Sequence, residues 1–345
     1  MKNNKCLFIF IIFTLFLHVS AFSEDFHFSV QPQITVHWGQ QDEFVYLAYD
    51  GGEKRTLSEL NWEQKPLFMP GIKGRLGYKN LFLELGAKTA LQENCGTVYD
   101  SDWLNVSALL GCSDDYASIK TNYSESDCVL DSYYQLSAKL EYQAQINQSI
   151  TFSPFAEFEY SYSSYYAKDG WALYSNDITK IQDGYYHSYS DPDNSYEVTF
   201  SGNVMQLERI TYFTWLGAEL NASLSPKVSL AFSFALSPFV YIQSLDSHLL
   251  KRNYYLDEMY GILKGTREEL SFTFRATEKS SIIFSIQGYM IENLTGTAKS
   301  TSKKNAAYKD YTDCSYTVDG KSVDITSGSA FYSLDFTLAY RLTFK

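Results

Sequence analysis

Between Ala330 and Phe344 every second side chain is apolar, and five of the seven residues between them (Ser333, Asp335, Thr337, Arg341 and Thr343) are polar. Apolar residues occupy every second position: Ala330, Tyr332, Leu334, Phe336, Leu338, Tyr340, Leu342 and Phe344. Successive side chains of a β-strand point to opposite faces, whereas apolar residues of an amphipathic helix recur every three or four positions. This segment is therefore predicted to be a β-strand with one apolar and one polar face.

The same alternation recurs in residues 136–142, 216–224 and 228–236, and almost nothing between these segments has a helical period. A soluble β-sandwich also alternates in this way, so the pattern alone does not place the sheet in a membrane. Strands of about 10 residues or more, together with aromatic residues at their ends, are typical of an outer-membrane barrel. The 29 Tyr and 24 Phe, many of them at segment ends, favour that class.

The first 23 residues have the features of a secretory signal peptide. Lys2 and Lys5 precede an uncharged apolar stretch at 7–17, and the small residues Ala21 and Ser23 follow it. A membrane-anchoring helix would need about 20 apolar residues, roughly twice this length. We expect residues 1–23 to be cleaved, which leaves 24–345 as a single barrel domain in the outer membrane.

The connections between strands alternate between short and long. Short turns are predicted near 77–80, 147–149, 225–227 and 278–281, and long loops near 40–61, 94–131, 169–203, 245–262 and 297–326. This pattern predicts an all-β, ten-stranded antiparallel up-and-down transmembrane β-barrel. Because short turns normally face the periplasm, the long loops are expected to be extracellular.

Charge and cysteine content narrow the function. The formal net charge is −12, and it becomes −14 without the two lysines of residues 1–23, which excludes nucleic-acid binding by charge. Sequence spacing supports no metal site and no cofactor, because no CxxC or HExxH motif occurs. Four cysteines (Cys95, Cys112, Cys128 and Cys314) remain after cleavage, and an exported location permits disulfides. Three pairings are open, and Cys112 with Cys128 is favoured because both lie in one predicted loop.

Two tripeptides place ionisable side chains two residues apart, where predicted strands end: Asp100-Ser101-Asp102 and Asp246-Ser247-His248. Residues i and i+2 of an extended chain point to the same side. By the strand count, both tripeptides emerge at the outer rim, about half a circumference apart. We therefore expect them to face each other across a cleft.

Such a cleft can activate water. Asp246 is placed to orient His248 and to stabilise its imidazolium, so that His248 serves as a general base. Asp100 and Asp102 are like charges close together, which raises the pKa of one of them. Three other histidines (His27, His37 and His187) have no partner that spacing reveals and are expected to be strand or loop residues without catalytic work.

Three blocks of the sequence resemble one known family. The first block covers residues 43–62 and contains EFVYLA at 43–48, GGEK at 51–54 and LSELNW at 57–62. The second is VYDSDWL at 98–104, and the third is DSH at 246–248. Together they closely resemble the omptins, which are ten-stranded outer-membrane endoproteases. The resemblance implies catalysis by the pair Asp100 and Asp102 and the facing dyad Asp246 and His248, with water as nucleophile, no metal, and a peptide or protein substrate.

The resemblance also points to a substrate-binding pocket and a lipid site, and this chain departs from both. An acid at the position of Glu43 helps to receive a basic side chain, but Ser244 stands where a second acid is common. A preference for Arg or Lys at the cleaved bond is therefore expected to be weakened. Phe158, Tyr160 and Tyr162 replace the Tyr, Glu and Arg of the lipopolysaccharide site, which argues against dependence on that lipid.

Two non-proteolytic interpretations compete. Ser244, the altered lipid positions and the long Tyr-rich loops suit a surface adhesin or receptor with a degenerate site. A porin is the weaker alternative, because side chains can largely fill a ten-stranded barrel. Retention of all four catalytic residue types favours the protease.

Overall fold

The computed structural model describes residues 26–48, 54–91, 93–105, 114–176, 185–318 and 321–344. The strands in these ranges are β1 (Phe26–Ala48), β2 (Lys54–Tyr78), β3 (Leu81–Thr89), β4 (Asn94–Asp102), β5 (Asn122–Tyr142), β6 (Ala144–Gln145), β7 (Ile150–Ser175), β8 (Ser195–Ser225), β9 (Val228–His248), β10 (Asn253–Gly261), β11 (Gly265–Thr277), β12 (Ser280–Thr301), β13 (Thr312–Asp313), β14 (Ser315–Val318) and β15 (Lys321–Phe344). A short helix, α1 (Asp114–Ala117), and a 3-10 turn at Tyr308–Asp310 lie between them. In the described ranges, no helix is long and apolar enough to cross a membrane. The predicted signal segment lies outside these ranges, so its cleavage stays a prediction.

The long strands close into a ring of antiparallel neighbours. The order is β1, β2, then β3 with β4, β5, β7, β8, β9, then β10 with β11, β12 and β15, and β15 pairs again with β1. Since β3 and β4 share one place and β10 and β11 share another, the described residues form ten places around the ring. The predicted ten-stranded up-and-down barrel is confirmed.

The two faces of the sheet differ as the alternation predicts. On β3, Leu81, Leu83 and Leu85 are exposed on the outer face, while Glu84 points inward beside Lys73, with 3.2 Å between Nζ and Oε1. Ion pairs also link strands inside the barrel, and Arg75 Nη2 lies 2.8 Å from Glu141 Oε1. Charged groups inside a barrel are stabilised by such pairing, and polar side chains line this part of the lumen.

A row of tyrosines marks the upper limit of the apolar outer face. The ring centroids of Tyr160 and Tyr212 are 5.2 Å apart, and those of Tyr212 and Tyr241 are 6.0 Å apart. Aromatic residues of this kind form the interfacial girdles of outer-membrane barrels. Beyond the row, β9 continues to His248. The end of the barrel with the longer connections therefore stands clear of the lipid-facing belt.

The predicted long loops are partly wrong, because the structure extends strands through much of each one. β4 runs through Asp100 and Asp102, β9 runs through Asp246 and His248, and β10 occupies a segment predicted as loop. These upper strands have water rather than lipid on their outer side, so they lack the apolar alternation that reveals the lower ones. The candidate catalytic residues are consequently held by a sheet instead of by loop ends.

The cysteines are arranged differently from the favoured pairing. Cys95 on β4 and Cys128 on β5 are buried neighbours, with 3.4 Å between their sulfur atoms. The favoured partner of Cys128, Cys112, lies outside the described residues, and none of the three cysteines inside them is in a disulfide. The structure therefore brings together Cys95 and Cys128, two residues that the sequence assigns to the same predicted loop.

Candidate active site

Asp246 and His248 form a hydrogen-bonded dyad at the upper end of β9. Because they are two residues apart on a strand, both point into the barrel, and His248 Nε2 lies 2.8 Å from Asp246 Oδ2. A carboxylate only accepts hydrogen bonds, so Nε2 carries the proton and Nδ1 is the basic nitrogen. Tyr255 on β10 packs against the imidazole, with ring centroids 5.2 Å apart.

The surroundings adjust the basicity of the imidazole. Burial lowers the pKa of His248, but the charge of Asp246 and the hydrogen bond to it outweigh burial, so the pKa is raised overall. A carboxylate beside a histidine favours the imidazolium in this way. His248 is therefore suited to take up a proton and to hold it while a reaction proceeds.

Asp100 and Asp102 occupy alternate positions on β4, which pairs with β2 on one side and β5 on the other. Asn122 donates a hydrogen bond from Nδ2 to Asp102 Oδ2 at 3.0 Å, whereas Asp100 Oδ1 is buried without a hydrogen-bond partner among the described residues. Burial raises the pKa of Asp100 to about 8, and the neighbouring charge of Asp102 adds to the rise. At neutral pH Asp100 therefore favours its protonated form.

The ring places the two pairs on opposed walls. Asp100 lies at the third of the ten places formed by the described residues and Asp246 at the seventh. The groups are close enough to interact electrostatically, since the pKa of Asp100 is lowered by His248 and raised by Asp246. The predicted meeting of the two tripeptides across the barrel mouth is thus what the structure contains.

Lys251 is a charged neighbour of both pairs that sequence reasoning missed. It lies in the turn between β9 and β10, and its charge lowers the pKa of both Asp100 and His248. The signal available in the sequence was its position three residues after His248. A turn that returns directly into the next strand keeps such a residue at the cleft.

Glu43 and Ser244 lie in the same neighbourhood, but each already has a partner. Glu43 on β1 accepts a hydrogen bond from Trp62 Nε1 at 3.0 Å and pairs with Arg209 Nη2 at 3.2 Å. Arg209 also donates from Nε to Ser244 Oγ at 3.1 Å. Burial raises the pKa of Glu43 to about 7, although the charge of Arg209 opposes the rise. The predicted receptor for a basic side chain thus contains a basic side chain of the protein.

Asp257 is a further acid that the sequence analysis missed. It pairs with Ser244 across β10 and β9, and Ser244 pairs in turn with Arg209 on β8, so the three side chains share one inward-facing row. Burial raises the pKa of Asp257 well above its ordinary value, and the charges of Glu43 and Asp246 add to the rise. The acid absent from position 244 is therefore present on the adjacent strand.

The geometry places a histidine and its orienting carboxylate opposite an acid pair, an arrangement that suits general acid–base chemistry on a bound water molecule. Within the described part of the chain, no group of three or more His, Cys, Asp or Glu side chains is arranged to hold a metal ion. The profile of one protein family, described as the omptin family, matches residues 24–332.

The chain belongs to the omptin family.

One solved structure agrees with this omptin assignment at the level of the fold. The outer membrane protease OmpT from Escherichia coli matches with a TM-score of 0.72 and 15% sequence identity, over 92% of this chain and 97% of that one. Neisserial surface protein A matches with a TM-score of 0.29 and 7% identity, over 92% of this chain and 97% of that one. The translocator domain of the autotransporter NalP from Neisseria meningitidis matches with a TM-score of 0.31 and 7% identity, over 99% of this chain and 97% of that one. No curated protein matches this omptin by sequence.

Proposed function

We propose that this omptin is an endopeptidase that cleaves peptides or proteins at the cell surface, with its cleft facing outward. The observation that carries the proposal is the dyad of Asp246 and His248 opposite the pair of Asp100 and Asp102. Family membership supports an outer-membrane protease, and the long-loop end is the one expected outside. The substrate therefore enters from the medium.

The proposed reaction begins with a water molecule between the two walls. His248 Nδ1 accepts a proton from this water as its oxygen attacks the scissile carbonyl carbon, and Asp246 stabilises the resulting imidazolium. The protonated carboxyl group of Asp100 donates a hydrogen bond to the carbonyl oxygen, on which negative charge develops, and Asp102 lies beside it on β4. His248 then returns its proton to the leaving nitrogen as the carbon–nitrogen bond breaks.

A strong preference for Arg or Lys before the cleaved bond is not part of this proposal. Glu43 is the acid expected to receive such a side chain, and it is paired with Arg209 at 3.2 Å. We keep the expectation that the preference for a basic residue is weakened. The reason is that Ser244 provides no second acid and that Glu43 is already paired with Arg209.

Dependence on lipopolysaccharide is also not proposed. Phe158 is exposed on the outer face of β7, and Tyr162 donates a hydrogen bond from its hydroxyl to Glu208 Oε1 at 2.8 Å. Aromatic side chains at this level suit the interface of any bilayer. We propose outer-membrane lipid as the surroundings of the barrel without a specific lipid requirement.

The test is peptide cleavage by refolded protein. Asp100→Ala and His248→Ala are each expected to lower kcat/KM by at least about 10³, because each removes a proton-transfer or charge-stabilising group. Asp127→Ala is the matched control, since this exposed aspartate of β5 lies outside the cleft. All variants should keep the heat-dependent gel mobility of a folded barrel. Undiminished cleavage by both catalytic variants would rule out the mechanism.

The alternative is a surface adhesin or receptor with a degenerate site. The observation in its favour is that Arg209 neutralises Glu43, which removes a feature useful to a protease of basic specificity. If the folded wild type cleaves no peptide from a library with every residue type before the bond, this alternative replaces the protease.

A further inference from the structure

Four side chains lie directly below the proposed dyad, and we refer to Glu43, Arg209, Ser244 and Asp257 as the subdyad cluster. Ser244 precedes Asp246 by two residues on β9, so both point into the barrel. Asp257 and Arg209 flank Ser244 in the same cross-strand row. A substrate side chain that projects inward from a bond held at His248 therefore meets this cluster.

The side chain of Arg209 extends across the barrel interior to Glu43. Its strand, β8, is at the sixth of the ten places of the described ring, and the strand of Glu43 is at the first. The guanidinium donates to Ser244 Oγ at 3.1 Å and to Glu43 Oε1 at 3.2 Å, and Arg209 is only 4% exposed. The guanidinium of this buried arginine is therefore held between β9 and β1 by its two partners.

The subdyad cluster contains two acids, Glu43 and Asp257, and one cation, Arg209. Glu43 is 6% exposed and takes a second hydrogen bond from Trp62. Oδ1 of Asp257 and Oδ1 of Asp246 are both buried without hydrogen-bond partners among the described residues. Glu43 therefore pairs directly with the resident guanidinium and Asp257 lies one strand away from it, so the cluster offers acids of the kind that a bound arginine side chain would need.

We propose that Arg209 determines side-chain selectivity at the cleaved bond. It occupies the place of a basic substrate side chain, so the cluster takes an uncharged residue that hydrogen-bonds to Ser244 or Asp257 and rejects Arg and Lys. This inference rests on the proposed protease function. Removal of the guanidinium would leave Glu43 and Asp257 free to receive a basic side chain, and the preference would reverse.

The experiment compares two fluorogenic peptides that differ only in Arg or Gln before the cleaved bond. Arg209→Met is expected to raise the ratio of kcat/KM for the Arg peptide to that for the Gln peptide by about tenfold or more over wild type. Adding Glu43→Gln to it should abolish the gain. Arg267→Met is the matched control, because Arg267 is also buried and paired with a glutamate, Glu157, but lies outside the cluster. Its ratio should equal that of the wild type.

A binding measurement separates this inference from the protease proposal. Isothermal titration with butylguanidinium is expected to detect binding to folded Arg209→Met and none to the wild type or the double variant. If no protein cleaves any peptide, the protease proposal fails, while the titration still decides the role of Arg209. An unchanged cleavage ratio together with no guanidinium binding to Arg209→Met would overturn the inference.

If Arg209→Met does not fold, the wild type and the conservative variant Arg209→Lys still test the inference. Wild-type cleavage after Arg in preference to Gln by about tenfold, or wild-type binding of butylguanidinium, would overturn the inference directly. Arg209→Lys keeps a cation and a partner for Glu43, and it is expected to keep the rejection of Arg.

Discussion

His37 Nδ1 lies 2.6 Å from Asp335 Oδ1 in the interior of the barrel, where the sequence indicated no partner for this histidine. Gln64 Oε1 is 2.9 Å from the other ring nitrogen, and Lys88 Nζ is 3.2 Å from the second oxygen of Asp335. The two partners of Asp335 come from the first and third places of the ring. This carboxylate therefore ties together separate walls below the candidate site.

Asp335→Asn is expected to destabilise the barrel without removing the site. It leaves the half-buried Lys88 without its carboxylate, and breaking an ion pair that is fully buried costs about 3–5 kcal/mol, which sets the upper value for this loss. Urea unfolding in detergent, followed by tryptophan fluorescence, measures the loss. Asp127→Asn on the exposed face of β5 is the control and should unfold at the wild-type midpoint, as Asp335→Asn should not.

Lys251→Gln is expected to move both limbs of the pH profile of kcat/KM to higher pH. His248 must be uncharged to accept a proton, so activity rises with pH through its raised pKa. Asp100 must keep its proton, so activity falls as pH rises through its pKa of about 8. Lys251 lowers both pKa values, and its removal therefore raises both. These limbs report the pKa values of the free enzyme.

The control for the pH experiment is Lys264→Gln. Lys264 pairs with Glu292 at 2.8 Å on an exposed surface, and it lies in the connection between β10 and β11 instead of the turn that carries Lys251. It makes the same change in net charge and should leave both limbs in place. Limbs that shift in opposite directions in Lys251→Gln, or not at all, would show that one of the two groups is misassigned.

Gly170→Ala is expected to reduce both stability and cleavage. Gly170 has φ +113°, and a Cβ there would lie 2.0 Å from the backbone oxygen of Glu125. Two residues later, Ala172 pairs with Ser124, which pairs with Asp100, so the clash disturbs the wall that carries the acid pair. The clash is expected to add about 1–3 kcal/mol of destabilisation.

Gly202→Ala isolates the effect of the clash. Gly202 has φ +78°, but a Cβ there has nothing within 4 Å. Its substitution carries only backbone strain, which is about 1–2 kcal/mol in the left-handed region. Unfolding midpoints and kcat/KM measured side by side test the difference, and equal effects of the two substitutions would contradict the clash.

Cys95 and Cys128 are expected to form a disulfide in protein isolated from an oxidising compartment. Their sulfur atoms are 3.4 Å apart on adjacent strands, and both residues are fully buried. Mass spectrometry of a digest without reductant should find the linked peptides, and reduction should release them. A Cys128 peptide linked to Cys112 instead would support the pairing favoured from the sequence.

Local sequence was enough to predict the barrel but not the full length of its strands. Below the tyrosine row, lipid requires apolar residues on one face, so alternation such as that of Leu81, Leu83 and Leu85 reveals each strand. Above the row, both faces meet water or polar side chains. β10 (Asn253–Gly261) and the upper part of β7 therefore read as loops in the sequence.

The site divides in the same way. Asp100, Asp102, Asp246 and His248 were identifiable because each pair is defined by spacing within one strand. Arg209 and Asp257 were not, because their roles depend on cross-strand register and on a contact that spans the lumen. Register is set by packing between strands that are distant in sequence.

Because the strands continue beyond the tyrosine row, the candidate catalytic residues lie on strands and not on the connecting segments above them. Asp100 and Asp246 are each held by a strand that is hydrogen-bonded on both sides. The connecting segments above them can gain, lose or exchange residues while the reacting groups keep their spacing. Grafted loops would therefore change the surface around the mouth of the barrel while the four candidate catalytic residues keep their positions on the strands.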